Sequence, residues 1–284
     1  MKTVLVTGAN GQLGQCIQKI QSKYPTIRFH FKTSNELDIT DVKAVNDYFA
    51  TYSVEYCVNC AAYTNVELAE SEIEKAFLIN AEAVKSLAEI CAKYQTTLIH
   101  ISTDYVFDGT KTSPYTETDS TNAISVYGAS KLKGEEYIQE VMNRYFIIRT
   151  SWLYAEFGKN FYKTILQKAS EKANLTITTE QKGTPTNAND LAALILKIIE
   201  TNNTHYGIYH FSNEGEATWY DFTKEILMNL NLPEDQQPSL KSVESYQTKA
   251  ARPKNSVLDK AKVRKIIPTI SWQESLKSLM NNHL

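Results

Sequence analysis

The sequence predicts an α/β fold built on a doubly wound parallel sheet, and two features of its 284 residues indicate this. In the first half, short runs of β-branched and aromatic residues alternate with helix-length segments, which is typical of parallel strands covered by helices. A glycine-containing turn follows the first of these runs, where such folds bind nucleotides. The predicted strands span residues 3–7, 28–32, 55–59, 97–102 and 145–150.

In the first half, a long helix is predicted over 70–94, from apolar residues at a period of three to four. After about residue 150, the regular alternation of strands and helices ends. The second half mixes predicted helices and strands less regularly; the helices span 161–169, 190–200 and 219–230, and the strands 175–179 and 207–212. We therefore expect a Rossmann-like cofactor domain over 1–150 and a smaller C-terminal α/β substrate lobe over 151–284, with a soft boundary that allows segments to be exchanged.

Composition narrows the classes of partner. The net charge is −2, from 30 basic and 32 acidic residues mixed along the chain, which does not suit a nucleic-acid backbone. No apolar run approaches the roughly 20 residues that cross a bilayer, so we expect a cytoplasmic protein that binds no membrane. Cys57 and Cys60 lie in an apolar run without nearby histidines, and we interpret them as core thiols rather than a metal site.

Three glycines mark a candidate dinucleotide site. Gly8, Gly11 and Gly14 follow the first strand and open a helix predicted over 12–23. Glycine at these positions allows a sharp turn, a close approach to pyrophosphate and tight packing of the helix on the strand. The position between strand and helix favours a cofactor site over a merely structural turn.

The end of the second strand bears on the choice of cofactor. An acidic residue there would bind the ribose hydroxyls of NADH, but the strand ends in Lys32 and two hydroxyl residues. A lysine suits the 2′-phosphate, so the sequence favours NADPH and leaves NADH possible, with a solvated Lys32 as the alternative. Asp38 and Ile39 are instead candidates to flank the adenine.

Tyrosine and lysine four residues apart form a candidate catalytic pair. Tyr127 and Lys131 lie on one face of a predicted helix, and Thr103 follows the fourth strand. Reduction of a ketone needs a proton donor for the alkoxide, and an adjacent cation makes the phenolate of tyrosine more accessible. Thr103 can donate a hydrogen bond to the same oxygen. We predict that these three residues are catalytic.

These motifs resemble those of the extended short-chain dehydrogenases, and within them the dTDP-4-dehydrorhamnose reductases, nearly end to end. The resemblance implies a two-lobed Rossmann protein that reduces the C4 ketone of dTDP-4-dehydro-L-rhamnose to give dTDP-L-rhamnose for polysaccharide biosynthesis. The motifs that carry it are TGANGQLG (7–14), NCAAYT (59–64), STDYVFDG (102–109), RTSWLY (149–154) and ARPKNS (251–256).

The resemblance also implies roles for individual residues. Thr103, Tyr127 and Lys131 become an active-site triad. The implied cofactor residues are Gly11, Gln12, Leu13, Asp38, Ile39, Ala61, Ala62 and Tyr63, and the implied sugar-nucleotide residues are Val66, Glu67, Thr103, Asp104 and Trp152.

The residues themselves supply further candidates for substrate binding. Trp152 offers a flat apolar face for a base or sugar, although a core tryptophan is the alternative. Arg252, Asn160 and Lys182 in the second half could neutralise a diphosphate, although cations of this kind are often simply solvated.

Other functions remain as alternatives. An epimerase of the same fold is one alternative, and a dehydratase of that fold is another, although it would need a second acid beside Asp104. A non-catalytic regulatory subunit would not need the triad. Some related reductases are dimers bridged by Mg²⁺ through glutamates, but Gln15 occupies that region here, and an amide is a poorer ligand than a carboxylate. The sequence predicts no metal-ligating residue, and it leaves Mg²⁺ and a homodimer open.

Overall fold

The computed structural model of the chain describes residues 1–233 and 236–283, and a parallel sheet of six strands organises it. The strand order is β10-β5-β4-β3-β1-β2, and all neighbours in it pair parallel. The five strands predicted in the first half are confirmed to within one residue. The strands of this sheet are β1 (Lys2–Thr7), β2 (Ile27–Lys32), β3 (Tyr56–Asn59), β4 (Thr97–Thr103), β5 (Tyr145–Thr150) and β10 (Gly207–His210).

Helices cover both faces of the sheet, which confirms the doubly wound architecture. Successive residues of β1 alternate between two cores, because side chains of a strand point to opposite faces. The covering helices are α1 (Gln12–Ile20), α2 (Val42–Thr51), α5 (Ala83–Lys93), α6 (Val126–Val141) and α8 (Ala188–Glu200). Val4 and Val6 pack with α1 and α8, whereas Leu5 packs with α2, α5 and α6.

The helix predicted over 70–94 is not continuous, and that prediction is wrong in its first part. The chain forms α3 (Val66–Ala69), turns, and resumes as α4 (Ile73–Phe77), a π-helical turn (Leu78–Glu82) and then α5. Within the π-turn, the buried Asn80 side chain accepts from the Tyr63 amide at 2.9 Å and donates to Ser130 of α6 at 3.0 Å. These bonds stabilise the widened turn, and periodicity does not reveal them. The first helix also ends earlier than predicted, since residues Gln21–Lys23 form a 3₁₀ turn.

Two segments from the second half belong to the sheet. Strand β10 pairs with β5, and α8 packs beside α1. The sheet therefore draws two segments from beyond residue 150, an exchange that the soft boundary allows.

The remaining second-half elements surround a separate core that includes Tyr154, Phe222 and Trp272. Its helices lie within one or two residues of their predicted bounds where predictions exist. These elements are α7 (Phe161–Ser170), α9 (Trp219–Asn229), α10 (Trp272–His283) and the short strands β6 (Leu153–Tyr154), β7 (Leu175–Thr178), β8 (Lys182–Gly183), β9 (Thr186–Asn187), β11 (Ala217–Thr218) and β12 (Leu240–Val243).

Neither a membrane helix nor a disulfide occurs in the described parts of the chain. No helix among residues 1–233 and 236–283 is long and apolar enough to span a bilayer. Cys57 is fully buried, as predicted for a core thiol. Cys60 is a free thiol that lines the main cavity, which the core interpretation did not foresee. Burial raises the pKa of Cys60, so its thiol stays uncharged.

Candidate active site

A cavity of about 1020 Å³ opens at the carboxyl ends of β1, β3, β4 and β5. Parallel strands of this fold leave a crevice at that edge, because connections to helices on opposite faces diverge there. The second half closes the other side through residues near Trp152 and Trp219. The predicted residues that line the cavity are Gly8, Gly11, Gln12, Leu13, Asp38, Ile39, Ala61, Ala62, Val66, Thr103, Asp104, Tyr127, Lys131, Trp152 and Asn160.

The turn of residues 8–11 and the first turn of α1, together called the cradle, have the geometry that an anion needs. Gly8 has a φ of +62°, and a Cβ there would lie 2.7 Å from the backbone nitrogen of Ala61. The two backbones can approach this closely only without a side chain. Gly11 precedes α1 and supplies no side-chain cap, so the first-turn amides at Gln12 and Leu13 are available beside the cavity. These groups fit a pyrophosphate.

Three predicted cofactor residues lie outside the cavity lining. Gly14 packs against β1's following turn, where a Cβ would lie 2.7 Å from Ala9. The Tyr63 hydroxyl donates to Glu72 at 2.9 Å. Lys32 places its ammonium 5.8 Å from the centre of the Tyr48 ring. Gly14 and Tyr63 thus support neighbouring structure.

Helix α6 presents the tyrosine and lysine one turn apart. Ser125 caps the helix by accepting from the Gly128 amide at 3.2 Å, which fixes where the helix begins. Burial raises the pKa of Tyr127 well above that of free tyrosine, while the Thr103 hydroxyl opposes this. The phenol is therefore protonated near neutral pH, whereas the sequence led us to expect an accessible phenolate. Desolvation disfavours the phenolate, and that is the reason for the difference.

Lys131 is almost completely buried. Its side chain is only 2% exposed, and its ammonium donates to the Ile101 carbonyl at 2.6 Å. Its Nζ also lies 3.1 Å from Nε2 of His100. Burial lowers the pKa of Lys131 to about 8, so the lysine can change its charge near neutral pH.

The end of β4 carries a hydroxyl and a carboxyl. Thr103 Oγ1 donates to Asp104 Oδ1 at 3.0 Å and accepts from the Tyr105 amide at 3.2 Å. Asp104 is 2% exposed, and its Oδ2 has no hydrogen-bond partner within the described chain. Burial raises the pKa of Asp104 to about 6. Both side chains line the cavity beside Tyr127.

An aromatic wall closes the second-half side of the cavity. Trp152 stacks on Trp219 with ring centres 3.7 Å apart and planes 7° apart, and Phe161 lies 4.5 Å from Trp219. Trp152 is thus a cavity residue rather than a core tryptophan. Sequence reasoning missed Trp219; its signal is an aromatic residue directly after Thr218, which caps α9.

The polar candidates of the second half are engaged by protein partners. Asn160 donates to Gln12 Oε1 at 2.9 Å, and so joins the two halves beside the glycine turn. Arg252 bonds Glu67 at 2.5 Å and the Tyr105 hydroxyl at 3.1 Å, outside the cavity lining.

Lys182 also lies outside the cavity lining, and it pairs with Glu216 at 2.9 Å. The Gln15 amide donates to the Asn10 carbonyl at 2.8 Å. Among residues 1–233 and 236–283, no three His, Cys, Asp or Glu side chains form a metal-binding group.

Sequence reasoning also missed two buried polar residues behind the site. Asn59 and His100 are paired in register on β3 and β4, and they connect to Lys131. The available signal is a polar residue at the end of an otherwise apolar central strand.

Comparison with known proteins identifies close relatives. The whole chain, residues 1–284, matches the family model described as RmlD substrate binding domain. The dTDP-4-dehydrorhamnose reductase of Aggregatibacter actinomycetemcomitans is 36% identical, over 98% of this chain and 98% of its own. The solved structure of such a reductase from Clostridium acetobutylicum is 37% identical and covers 99% of both chains, with a TM-score of 0.92. Another, from Bacillus anthracis in complex with NADP, is 35% identical and covers 99% of this chain and 100% of its own, with a TM-score of 0.93.

Proposed function

The chain belongs to the RmlD substrate binding domain family, that of the dTDP-4-dehydrorhamnose reductases, and on this premise we propose that it reduces dTDP-4-dehydro-L-rhamnose to dTDP-L-rhamnose with NADPH. The observation that carries the proposal is that Thr103, Tyr127 and Lys131 meet at the cavity that also contains the glycine cradle. A proton donor, its neighbouring cation and a phosphate site are what a ketone reductase requires.

The proposed cofactor site is the cradle at the end of β1. Gly8, Gly11 and the first turn of α1 would hold the pyrophosphate, and Ala61 and Ala62 would line the cavity next to it. When bound, the cofactor supplies the hydride. The NADP complex of the Bacillus anthracis relative supports NADPH. Lys32 would have to turn from the Tyr48 ring to reach a 2′-phosphate, so we keep it as a proposed ligand.

Tyr127 is the proposed proton donor. Its raised pKa keeps the phenol loaded with a proton at neutral pH, which suits donation to the alkoxide oxygen as it forms. Thr103 would donate a hydrogen bond to the same oxygen, after releasing Asp104. Lys131 in its ammonium form would hold the nicotinamide ribose and stabilise the phenolate that remains on Tyr127.

The proposed substrate side is the aromatic wall with its polar surroundings. Trp152 and Trp219 offer an apolar face for the base or sugar. Arg252 could bind the diphosphate bidentately only if its guanidinium left Glu67, so we propose that these two residues act together at the rim. Val66 and Asp104 already line the cavity near them, and Asn160 would act through Gln12.

An absorbance assay at the nicotinamide band tests the proposal. Purified chain is incubated with dTDP-4-dehydrorhamnose and either NADPH or NADH, and the sugar product is analysed. We expect one reduced cofactor to be consumed for each sugar reduced, with NADPH preferred. Tyr137, on the same helix but outside the cavity, offers a matched control: Tyr137→Phe should keep its activity and Tyr127→Phe should lose it.

The alternatives correspond to other results of that assay. A dehydratase or epimerase would recycle its cofactor, and conversion of the sugar without net consumption of NADPH would refute reduction. A regulatory subunit would consume no cofactor with any dTDP-ketosugar. Location in the cytoplasm and assembly as a homodimer stay predictions, and the second is checked by light scattering with and without Mg²⁺.

A further inference from the structure

A row of buried polar side chains crosses the sheet and ends at Lys131. Thr7, Asn59 and His100 stand at one level on β1, β3 and β4, because Thr7 is in register with Asn59 and Asn59 with His100. Thr7 and Asn59 are 1% exposed and His100 is 0% exposed. Hydrogen bonds join the row to the lysine. Buried polar groups need matched donors and acceptors, so the position of each proton matters.

The amide of Asn59 can adopt only one orientation with all its bonds satisfied. Its Oδ1 accepts from the Thr7 hydroxyl at 2.7 Å and from the Ala61 backbone N–H at 3.2 Å. A backbone N–H can only donate, so the oxygen faces Ala61 and Nδ2 faces His100. Nδ2 also can only donate, and it lies 3.1 Å from Nδ1 of His100. Nδ1 must therefore offer a lone pair.

This assigns the proton of the imidazole to its other nitrogen. Burial, together with the nearby Lys131, holds the pKa of His100 well below its usual range, so the ring is neutral. A neutral ring with a lone pair on Nδ1 carries its proton on Nε2, 3.1 Å from Lys131 Nζ. An ammonium on Lys131 has no lone pair, so it would face the Nε2–H of His100 as a second donor, whereas an uncharged amine can accept that hydrogen bond. The row therefore stabilises the uncharged form of Lys131.

Charged and titratable groups from several elements surround Lys131. The titratable or charged groups around it and its partners are Glu135 and Tyr127 on its own helix, Cys60 past β3, Asp104 past β4 and Arg149 on β5. The Glu135 carboxylate favours the ammonium. The Cys60 thiol is uncharged and adds no charge beside Lys131. Glu135 is already paired with Arg149 at 2.6 Å, which limits its influence.

We propose that His100, held by Asn59 with its proton on Nε2, is a positioning residue that stabilises the uncharged amine of Lys131 and so determines the pH at which this lysine gains its proton. The inference rests on the proposed function, in which the ammonium form of Lys131 supports proton donation by Tyr127. Activity then falls as the pH rises through the titration of Lys131, whose pKa is about 8.

Asn59→Asp is the sharpest test, because it is nearly isosteric and reverses the direction of the hydrogen bonds from residue 59 through His100 to Lys131. One carboxylate oxygen keeps the donors Thr7 and Ala61, and the other accepts a hydrogen bond from the Nδ1–H of His100. Nε2 then offers its lone pair to the ammonium of Lys131. We expect the alkaline limb of kcat/KM to move up by about one pH unit or more. A merely structural role would lower activity equally at every pH.

Combining Asn59→Asp with His100→Phe separates the effect of the hydrogen bonds from that of the added charge. In the His100→Phe protein, the new carboxylate still acts on Lys131 through space, but there is no imidazole whose proton it could relocate. We expect less than half of the pH shift there, and a shift of full size would overturn the proposal. If His100→Phe does not fold, the single variant and the spectra below decide.

NMR tests the inference without any activity. In protein labelled with ¹⁵N-histidine, we expect the proton of His100 on Nε2, and on Nδ1 in Asn59→Asp. The ¹³Cε resonance of Lys131 should titrate about one pH unit higher in the variant. A wild-type proton on Nδ1, or an unmoved Lys131 titration, would overturn the inference. If these spectra are as expected but no ketosugar is reduced, the proposed function fails and the assignment of the row stands.

Discussion

Replacement of Gly8 by alanine perturbs the cradle at its narrowest point. Gly8 has a φ of +62°, and its new Cβ would lie 2.7 Å from Ala61 N, 2.8 Å from Cys60 C and 2.9 Å from Ala61 Cα. All three are backbone atoms at the end of β3, so no flexible side chain can move aside. The strand ends must separate, and the turn before α1 must shift with them.

The cost has two parts. A left-handed conformation costs an alanine roughly 1–2 kcal/mol, and overpacking costs about 1–3 kcal/mol more. We therefore expect Gly8→Ala to lower the free energy of unfolding by about 2–5 kcal/mol. If about 1.4 kcal/mol of this cost is lost from the binding free energy of NADPH at the cradle, its Kd rises roughly tenfold.

Gly207 provides a matched control. It also has a positive φ, +129°, but a Cβ there meets only the flexible end of Lys262 at 3.5 Å, and the residue is not in the cavity lining. Gly207→Ala should lose about 1–3 kcal/mol from backbone strain and keep its cofactor affinity. Urea unfolding and a fluorescence titration with NADPH measure both quantities. Parental affinity in Gly8→Ala would refute the cradle, and equal losses of affinity in both variants would show that strain alone is responsible.

Three further variants test the site and its support. Tyr127→Phe should lower kcat by about 10²–10⁴-fold with nearly unchanged affinity for NADPH, since it removes a proton donor and little surface; unchanged turnover would contradict the assignment. Lys131→Ala should weaken both turnover and cofactor affinity in steady-state kinetics and titration, and an effect on turnover alone would argue against contact with the ribose. Glu135→Gln should lower the free energy of unfolding by about 3–5 kcal/mol in urea, because Arg149, 3% exposed, loses its counter-charge; a loss below 1 kcal/mol would mean that Arg149 finds another partner.

Much of the fold and part of the site could be predicted from local patterns. Runs of β-branched residues located the first five strands, because burial on both faces of a parallel sheet demands them. The spacing of Gly8 and Gly11 indicated the cradle, since only glycine permits that backbone. The four-residue spacing of Tyr127 and Lys131 placed them on one helix face. Each of these conclusions depends on residues close together in the sequence.

Other features depend on contacts between distant segments. Strand β10 pairs at the edge of the sheet beside β5, and α8 packs on the same domain. No local sequence pattern shows which edge of the sheet a later strand will join. Arg252 and Glu67 are engaged with one another although 185 residues separate them.

The sequence by itself determined the alternation of strands and helices and the glycine cradle, and it indicated a candidate proton donor with a neighbouring cation, because periodicity and residue type act locally. Only the tertiary structure decided the charge state of these groups. Burial raises the pKa of Tyr127 and lowers that of Lys131, and the row through Asn59 and His100 exists only once β3 and β4 pair. Desolvation and hydrogen-bond partners belong to the packed sheet as a whole, and so they could not be predicted from spacing along the chain.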